Sequence, residues 1–221
     1  MLTAFVLLLV AIAVATAVHL AGTVAAARLL HAPAKTVSFG VGPTLATLEL
    51  GGASLLIKLI PLAGSVTFAA ADEVPSGRGF EDLNRWHKIA SALSGSIACV
   101  IIACLLLGPA SALRGTAASW GEFFRVVHAF PDVAAQWMPI VDAIRANSFV
   151  VVLGIALAKV GGLNLLPLMP LNGGIALMYL LGKGFDESAF AKGYFKVSLL
   201  VLLVVLLLWL IGAAVMILKG V

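Results

Sequence analysis

The chain has 221 residues, 62% of them hydrophobic and 11% charged, with a mean hydropathy of +1.14, whereas soluble domains carry roughly 45–50% apolar and 25% charged residues. This composition excludes an ordinary water-soluble domain and predicts an α-helical integral membrane protein. The formal charge of +4 reads as membrane topology and calls for no nucleic acid partner.

The first span is expected over residues 1–30, where no charge precedes Arg28 and the apolar run reaches the roughly 20 residues that cross a bilayer. MLTAF carries no basic residue and Ala25 to Ala27 lead straight into Arg28, so this segment is expected to remain as an anchor rather than be removed as a signal peptide. Within it, VHLAGTV places His19 in otherwise apolar surroundings. Residues 36–70 are too rich in glycine for a helix. TVSFGV and LLIKLIPLAGSV are β-branched and apolar, which predicts a small membrane-associated β-hairpin region of short strands, with turns at Gly51-Gly52 and at Pro61 to Gly64. The polar stretch DEVPSGRGFEDLNRWHK follows and is expected to face the cytosol.

The second span is expected over 89–112, since no charge falls between Lys88 and Arg114. It holds Cys99 and Cys104, whose spacing puts them on different helix faces, so they read as packing residues rather than a disulfide. Residues 113–147 form an extracytosolic loop, and the link from 109 to 147 is shorter than the roughly 50 residues of a domain with its own core; neither a PDZ domain nor any other second domain fits. Trp137, Ile140, Val141 and Ile144 fall at helical spacing and, with Trp120, Phe123, Phe124 and Phe130, predict an amphipathic helix, lying at the membrane surface or packed on the bundle.

A third span over 148–182 is interrupted by Lys159, Asn164, Pro167, Pro170 and Gly173-Gly174, and is expected to break inside the membrane. The fourth covers 197–218. Arg28, Lys35, Lys58, Arg78, Arg85 and Lys88 lie on one side, with Lys183, Lys192 and Lys196, against Arg114, Arg125, Arg145 and Lys219 on the other. The excess of basic residues marks the cytosolic side, which places both termini outside it.

Three stretches in order resemble the site-2 protease family of intramembrane zinc metalloproteases. The family's first helix carries His-Glu-x-x-His, then an Ala-Arg pair and a Phe-Ser-x-Gly-x-Gly-like segment; this chain has HLAGTVAAARLL and then VSFGVGPTL. Its Ile-Pro-Leu-Gly-Gly-Tyr-Val-like hairpin is matched by LIPLAGSVTF, and its Asn-x-x-Pro and Leu-Asp-Gly-Gly motifs by NLLPLMPLNGG from Asn164 to Gly174. The resemblance implies a site-2 protease-like core of about four transmembrane helices, forming a single membrane domain over 1–221.

Histidines at i and i+4 share a helix face and can bind one zinc, with the adjacent glutamate as general base. Carried over by position, the family's zinc-ligand positions are His19, Thr23 and Asn172, and the base position is Leu20. Asn164, Pro167, Gly173 and Gly174 fall on motif-supporting positions. Leucine accepts no proton, and the general-base assistance it would have to replace is worth about 10²–10⁴ in rate. Threonine and asparagine are neutral oxygen donors, weak substitutes for imidazole and carboxylate at zinc. The remaining histidines, His31, His87 and His128, sit in or beside loops. The span-two Gly-Pro-x-x-Asn feature of the family reads Gly95-Ser96-Ile97-Ala98-Cys99 here.

Lys159 lies deep in the third span, where a lysine costs about 2.5–3.5 kcal/mol on the insertion scale. Two fates stay open: a cation in or beside the vacated metal pocket, bonded to Asn172, Thr23 and broken-helix carbonyls, or a lysine that bonds carbonyls exposed where the span breaks. The resemblance with these departures implies a pseudoprotease, with no catalytic residue, no metal and no cofactor expected, that contacts membrane lipids and binds transmembrane client segments or partner proteins. Two other readings remain: an active intramembrane zinc metalloprotease with an unorthodox site, drawing on Cys99 or another ligand, and a small transporter or channel using Lys159 and His19. Small size and plain topology point to a bacterial inner membrane.

Overall fold

The computed structural model describes residues 2–74, 79–128, 137–182 and 188–219. In chain order it has α1 (Leu2–Leu29), β1 (Ala34–Leu50), β2 (Ala53–Phe68), α2 (Arg85–Leu107), α3 (Pro109–His128), α4 (Met138–Ala146), α5 (Phe149–Asn164), α6 (Asn172–Leu180) and α7 (Ala189–Lys219). Short 3-10 turns at Ala71–Glu73 and Phe80–Asp82 shape the loop before α2.

Three of these helices, α1, α2 and α7, are long and apolar enough to cross a membrane. At 16 residues, α5 is about 24 Å long, shorter than a hydrocarbon core of about 30 Å. The region expected as the third span is thus two short helices, α5 and α6, around an irregular break at 165–171.

Helices α1, α2 and α5 form the core, and small side chains let them approach closely. Ala11, Ala15, Cys99, Ala103, Leu157 and Ala158 are buried together. In a bilayer, where lipid tails are as apolar as leucine, such close backbone packing supplies much of the association between helices. The side of α1 that carries His19 meets α2 at Gly95, where an added Cβ would stand 2.5 Å from the His19 carbonyl oxygen and 2.6 Å from Thr23 Oγ1.

The strands are longer than the short ones expected, at 17 and 16 residues. Gly51-Gly52 is the turn, with φ of 57° and 84°, but Pro61 to Gly64 lies inside β2 rather than in a second turn. Both strands bend, β1 around Gly40 and Gly42, whose φ values are 96° and 91°. Leu55 consequently faces both Val37 and Leu48, while Val37 also faces Val66. Residues 54–57 thus run between two stretches of β1, and the outer edges of the sheet are 64–67 and 47–50.

Between α2 and α5 the structure departs most from expectation. Gly108, with φ 81°, ends α2, and Pro109 starts a separate helix, α3, so residues 109–112 do not belong to the second span. Proline suits a first helical position, where its missing N–H is no loss. The helix expected around Trp137 is α4, and it packs on the bundle: Val141 and Ile144 are buried, and the Trp137 indole N–H donates to the Trp209 carbonyl at 3.1 Å. Phe130, Arg78 and Lys183 lie outside the described residues. Helix α7 begins at Ala189, earlier than the expected start at 197, and meets α3 through Val126, Val205 and Trp209.

Candidate functional site

Residues far apart in the chain converge where α1, α2, β2 and α6 meet. His19 Nε2 lies 2.9 Å from Asn172 Nδ2, across 153 positions of sequence. Asn172 is the first residue of α6, and the break in front of it sets its position. Pro167 and Pro170 cannot continue a helix, and the chain turns through Leu168 N–H to Leu166 O and Leu171 N–H to Leu168 O, each at 2.8 Å. The first turn of α6 then folds onto the break so tightly that a Cβ at Gly173 would stand 2.2 Å from Leu165 O, and one at Gly174 2.5 Å from the Leu168 carbonyl carbon. Only glycine fits such a backbone approach. The Tyr194 hydroxyl of α7 donates to Pro167 O and ties the break to that helix.

The other expected positions are occupied as follows. Thr23 is buried and its hydroxyl donates to the His19 carbonyl one turn back at 3.1 Å. Leu20 is 5% exposed and packs on the sheet: a Cβ at Gly64 would come within 2.7 Å of Leu20 Cδ1. The Asn164 amide returns to Val160 O in its own helix at 2.9 Å, and Pro167 stands in the break. Cys99 donates its thiol to Ala15 O at 3.5 Å, one turn before His19, so α2 is held to α1 just beside the site.

A neutral imidazole has one donor nitrogen and one acceptor nitrogen. With Nε2 engaged by Asn172 in either orientation of its amide, His19 Nδ1 is left buried and unpartnered among the described residues, as are Ser91 Oγ and Ser96 Oγ on α2.

Lys159 goes elsewhere than to the acceptors expected for it. Its ammonium forms an ion pair with Glu122 at 2.6 Å, and Glu122 belongs to α3. This partner was missed because residues 113–147 read as a loop outside the membrane. Gly115, Ser119 and Glu122, at i, i+4 and i+7, form one small and polar face of α3, and that pattern is the signal that could have found it. All three meet α5: Gly115 lies against Ala158 and Ser119 against Gly162, while Trp120 Nε1 donates to Gly162 O at 2.8 Å.

At the three positions expected from the resemblance to hold a metal stand one imidazole, one carboxamide in contact with it, and one hydroxyl bonded to backbone. Among the described residues no group of three or more His, Cys, Asp or Glu side chains could hold a metal ion. Zinc sites use nitrogen, thiolate or carboxylate donors, commonly three from the protein even where one position stays open. These donors do not fit such an ion.

Three helices long and apolar enough to cross a membrane, a bent hairpin laid against the first of them, and a break before α6 that returns Asn172 to His19 mark the chain as a helical membrane protein. The family model described as Peptidase family M50 matches residues 7–208, and the chain belongs to that family, the site-2 proteases. Comparison with curated proteins finds no match.

Proposed function

We propose that this chain is a non-catalytic member of peptidase family M50 that binds transmembrane segments or partner proteins without cleaving them. The observation that carries the reading is the direct His19–Asn172 contact: two positions that hold a metal between them elsewhere in the family are here in hydrogen-bond contact. Leu20 supports it, because the position of the general base is filled by a side chain packed on β2, and Thr23 spends its hydroxyl on its own helix. In this reading the site is an interhelical joint.

Binding needs no metal. Hydrogen bonds from a sheet edge can hold an extended segment, with side-chain pockets adding selectivity. Within β2, Lys58 faces Thr44 and its neighbour Ile57 faces both Phe39 and Ala46, so that stretch is not a free edge. The edge at 64–67 is open on one side among the described residues and lies against Leu20, next to His19, so an unwound client segment is taken to pair there. The setting is a bacterial inner membrane, with both termini outside the cytosol. A transporter built on Lys159 is less well supported, since Glu122 neutralises the cation on which that reading rests.

The test is capture in the presence of a chelator. A photo-crosslinker placed at Ser65 should trap a model transmembrane substrate intact, and Gly64→Pro should reduce the yield. Loss of crosslinking on chelation, or recovery of cleaved substrate alone, would contradict the proposal.

A further inference from the structure

Helix α3 starts where a helix long and apolar enough to cross a membrane stops: α2 ends at Leu107, and after Gly108 the chain enters α3 at Pro109. From there α3 runs alongside α5 in the same direction, because Gly115 lies against Ala158 and, four residues on in both helices, Ser119 lies against Gly162. The position of α5 along α2 then fixes the depth of both. A Cβ at Gly154 would stand 2.7 Å from Cγ of Leu107, the last residue of α2, and one at Gly161 would stand 3.1 Å from Ser96 O, in the middle of Arg85–Leu107. Ser119 and Trp120, which both contact Gly162, are therefore level with the centre of α2. A second apolar helix of spanning length gives the same depth, since Val126 packs on Val205, near the middle of Ala189–Leu218.

The chain does not go on to the other side. By Trp137 it stands beside Phe5, with ring centroids 5.6 Å apart, near the start of α1. Helices α1 and α2 run antiparallel, with Ala15 at Cys99 and His19 at Gly95. The start of α1 and the end of α2 thus share one side, and α3 leaves that side and the chain returns to it.

We propose that α3 is a re-entrant membrane segment that brings Glu122 to Lys159 inside the bilayer. Lys159 is the one charged residue of α5, and it falls between Gly154 and Gly161, in the inner part of the span, where a cation without a counter-charge is costly. Glu122 supplies that counter-charge at 2.6 Å. The last turn of α3 suits a helix that ends within a bilayer, where water does not satisfy the terminal carbonyls. Arg125 and His128 lie in that turn, where cations offset the negative end of the helix dipole, and His128 Nδ1 is 3.3 Å from Phe124 O. Trp120, Phe124 and Val127 are exposed and face acyl chains. The placement of α3 does not depend on whether the His19 site is catalytic.

The test uses the full chain in phosphatidylcholine vesicles that carry a nitroxide either at the headgroup or near the end of the acyl chain, reading fluorescence quenching. The contribution of Trp120 is taken by difference from Trp120→Phe, made in each variant. The deep label should quench Trp120 more strongly than the headgroup label. Glu122→Gln should shift the balance toward the headgroup label, and the charge-reversed pair Glu122→Lys/Lys159→Glu should restore it. Stronger quenching of the wild type by the headgroup label would place α3 at the surface and overturn the proposal. Quenching by neither label would also overturn it, because Trp120 would then not face lipid. A balance that is the same in Glu122→Gln, or that stays shifted in the charge-reversed pair, would overturn the part assigned to Glu122.

Discussion

At the residue scale, the contact between His19 and Asn172 has a measurable strength. A net hydrogen bond contributes about 0.5–1.5 kcal/mol, and polar contacts between membrane helices average about 0.6 kcal/mol. A double-mutant cycle of His19→Ala and Asn172→Ala, followed by unfolding in detergent, should return a coupling in that range, and a value near zero would contradict the contact. His31 offers a second test. It ends α1 in the left-handed backbone region, with φ 57°, where His31 N–H reaches Arg28 O and Ala32 N–H reaches Ala27 O. That is the glycine-favouring position of a helix terminus. His31→Gly should therefore be tolerated, while His31→Val should cost about 1–2 kcal/mol, read from the thermal midpoint. A third lies in the loop after β2. The hydrogen bond from Lys35, then that from the Ala70 N–H, holds the exposed Glu73 carboxyl below the usual carboxylate range. A lowered carboxyl contributes stability above that range and loses it as pH falls through its own pKa. Lys35→Met should move the Glu73 titration upward by NMR, with little change in global stability, because exposed pairs contribute little.

At the element scale, α3 decides how the broken segment is held. It docks on α5 through Gly162, where a Cβ would stand 2.2 Å from Ser119 Oγ and 2.4 Å from Thr116 O. Gly162→Ala should cost about 1–3 kcal/mol through overpacking, whereas Gly121→Ala, with nothing within 4 Å of its added carbon, should be neutral. Equal effects would mean that α3 does not dock as described. The same seam makes Lys159 and Glu122 interdependent. Removing one partner strands the other charge in a partly enclosed site, so Lys159→Met and Glu122→Leu should each destabilise more than the double variant does. Helix α3 was also the element that sequence concealed. Its Arg114, Glu122 and Arg125 read as loop charges, because the pairing of Glu122 with Lys159 is a tertiary fact with no trace in hydropathy.

At the scale of the whole molecule, the order of elements was legible wherever a single physical constraint dominates. Uncharged apolar runs marked α1, α2 and α7, and Pro167, Pro170 and the Gly173-Gly174 pair marked the break that carries Asn172. The sheet was legible in place but not in shape: glycines at 40 and 42 bend β1 back so that one stretch of β2 lies between two of β1, and composition does not reveal such folding. His19, Thr23 and Asn172 were expected together through the resemblance of their motifs, and of these His19 and Asn172 meet side chain to side chain. Which of their atoms bond to which was not legible, because the Thr23 hydroxyl and the Leu20 side chain choose partners that only packing supplies.

The central claim is that the joint between α1 and α6 works without metal. The most direct measurement is the zinc content of the detergent-purified wild type and of His19→Ala by elemental analysis, alongside cleavage of a model transmembrane substrate with and without added zinc. The account predicts no stoichiometric zinc in either protein and no cleavage under either condition. Stoichiometric zinc in the wild type that is lost in His19→Ala, together with cleavage, would contradict it.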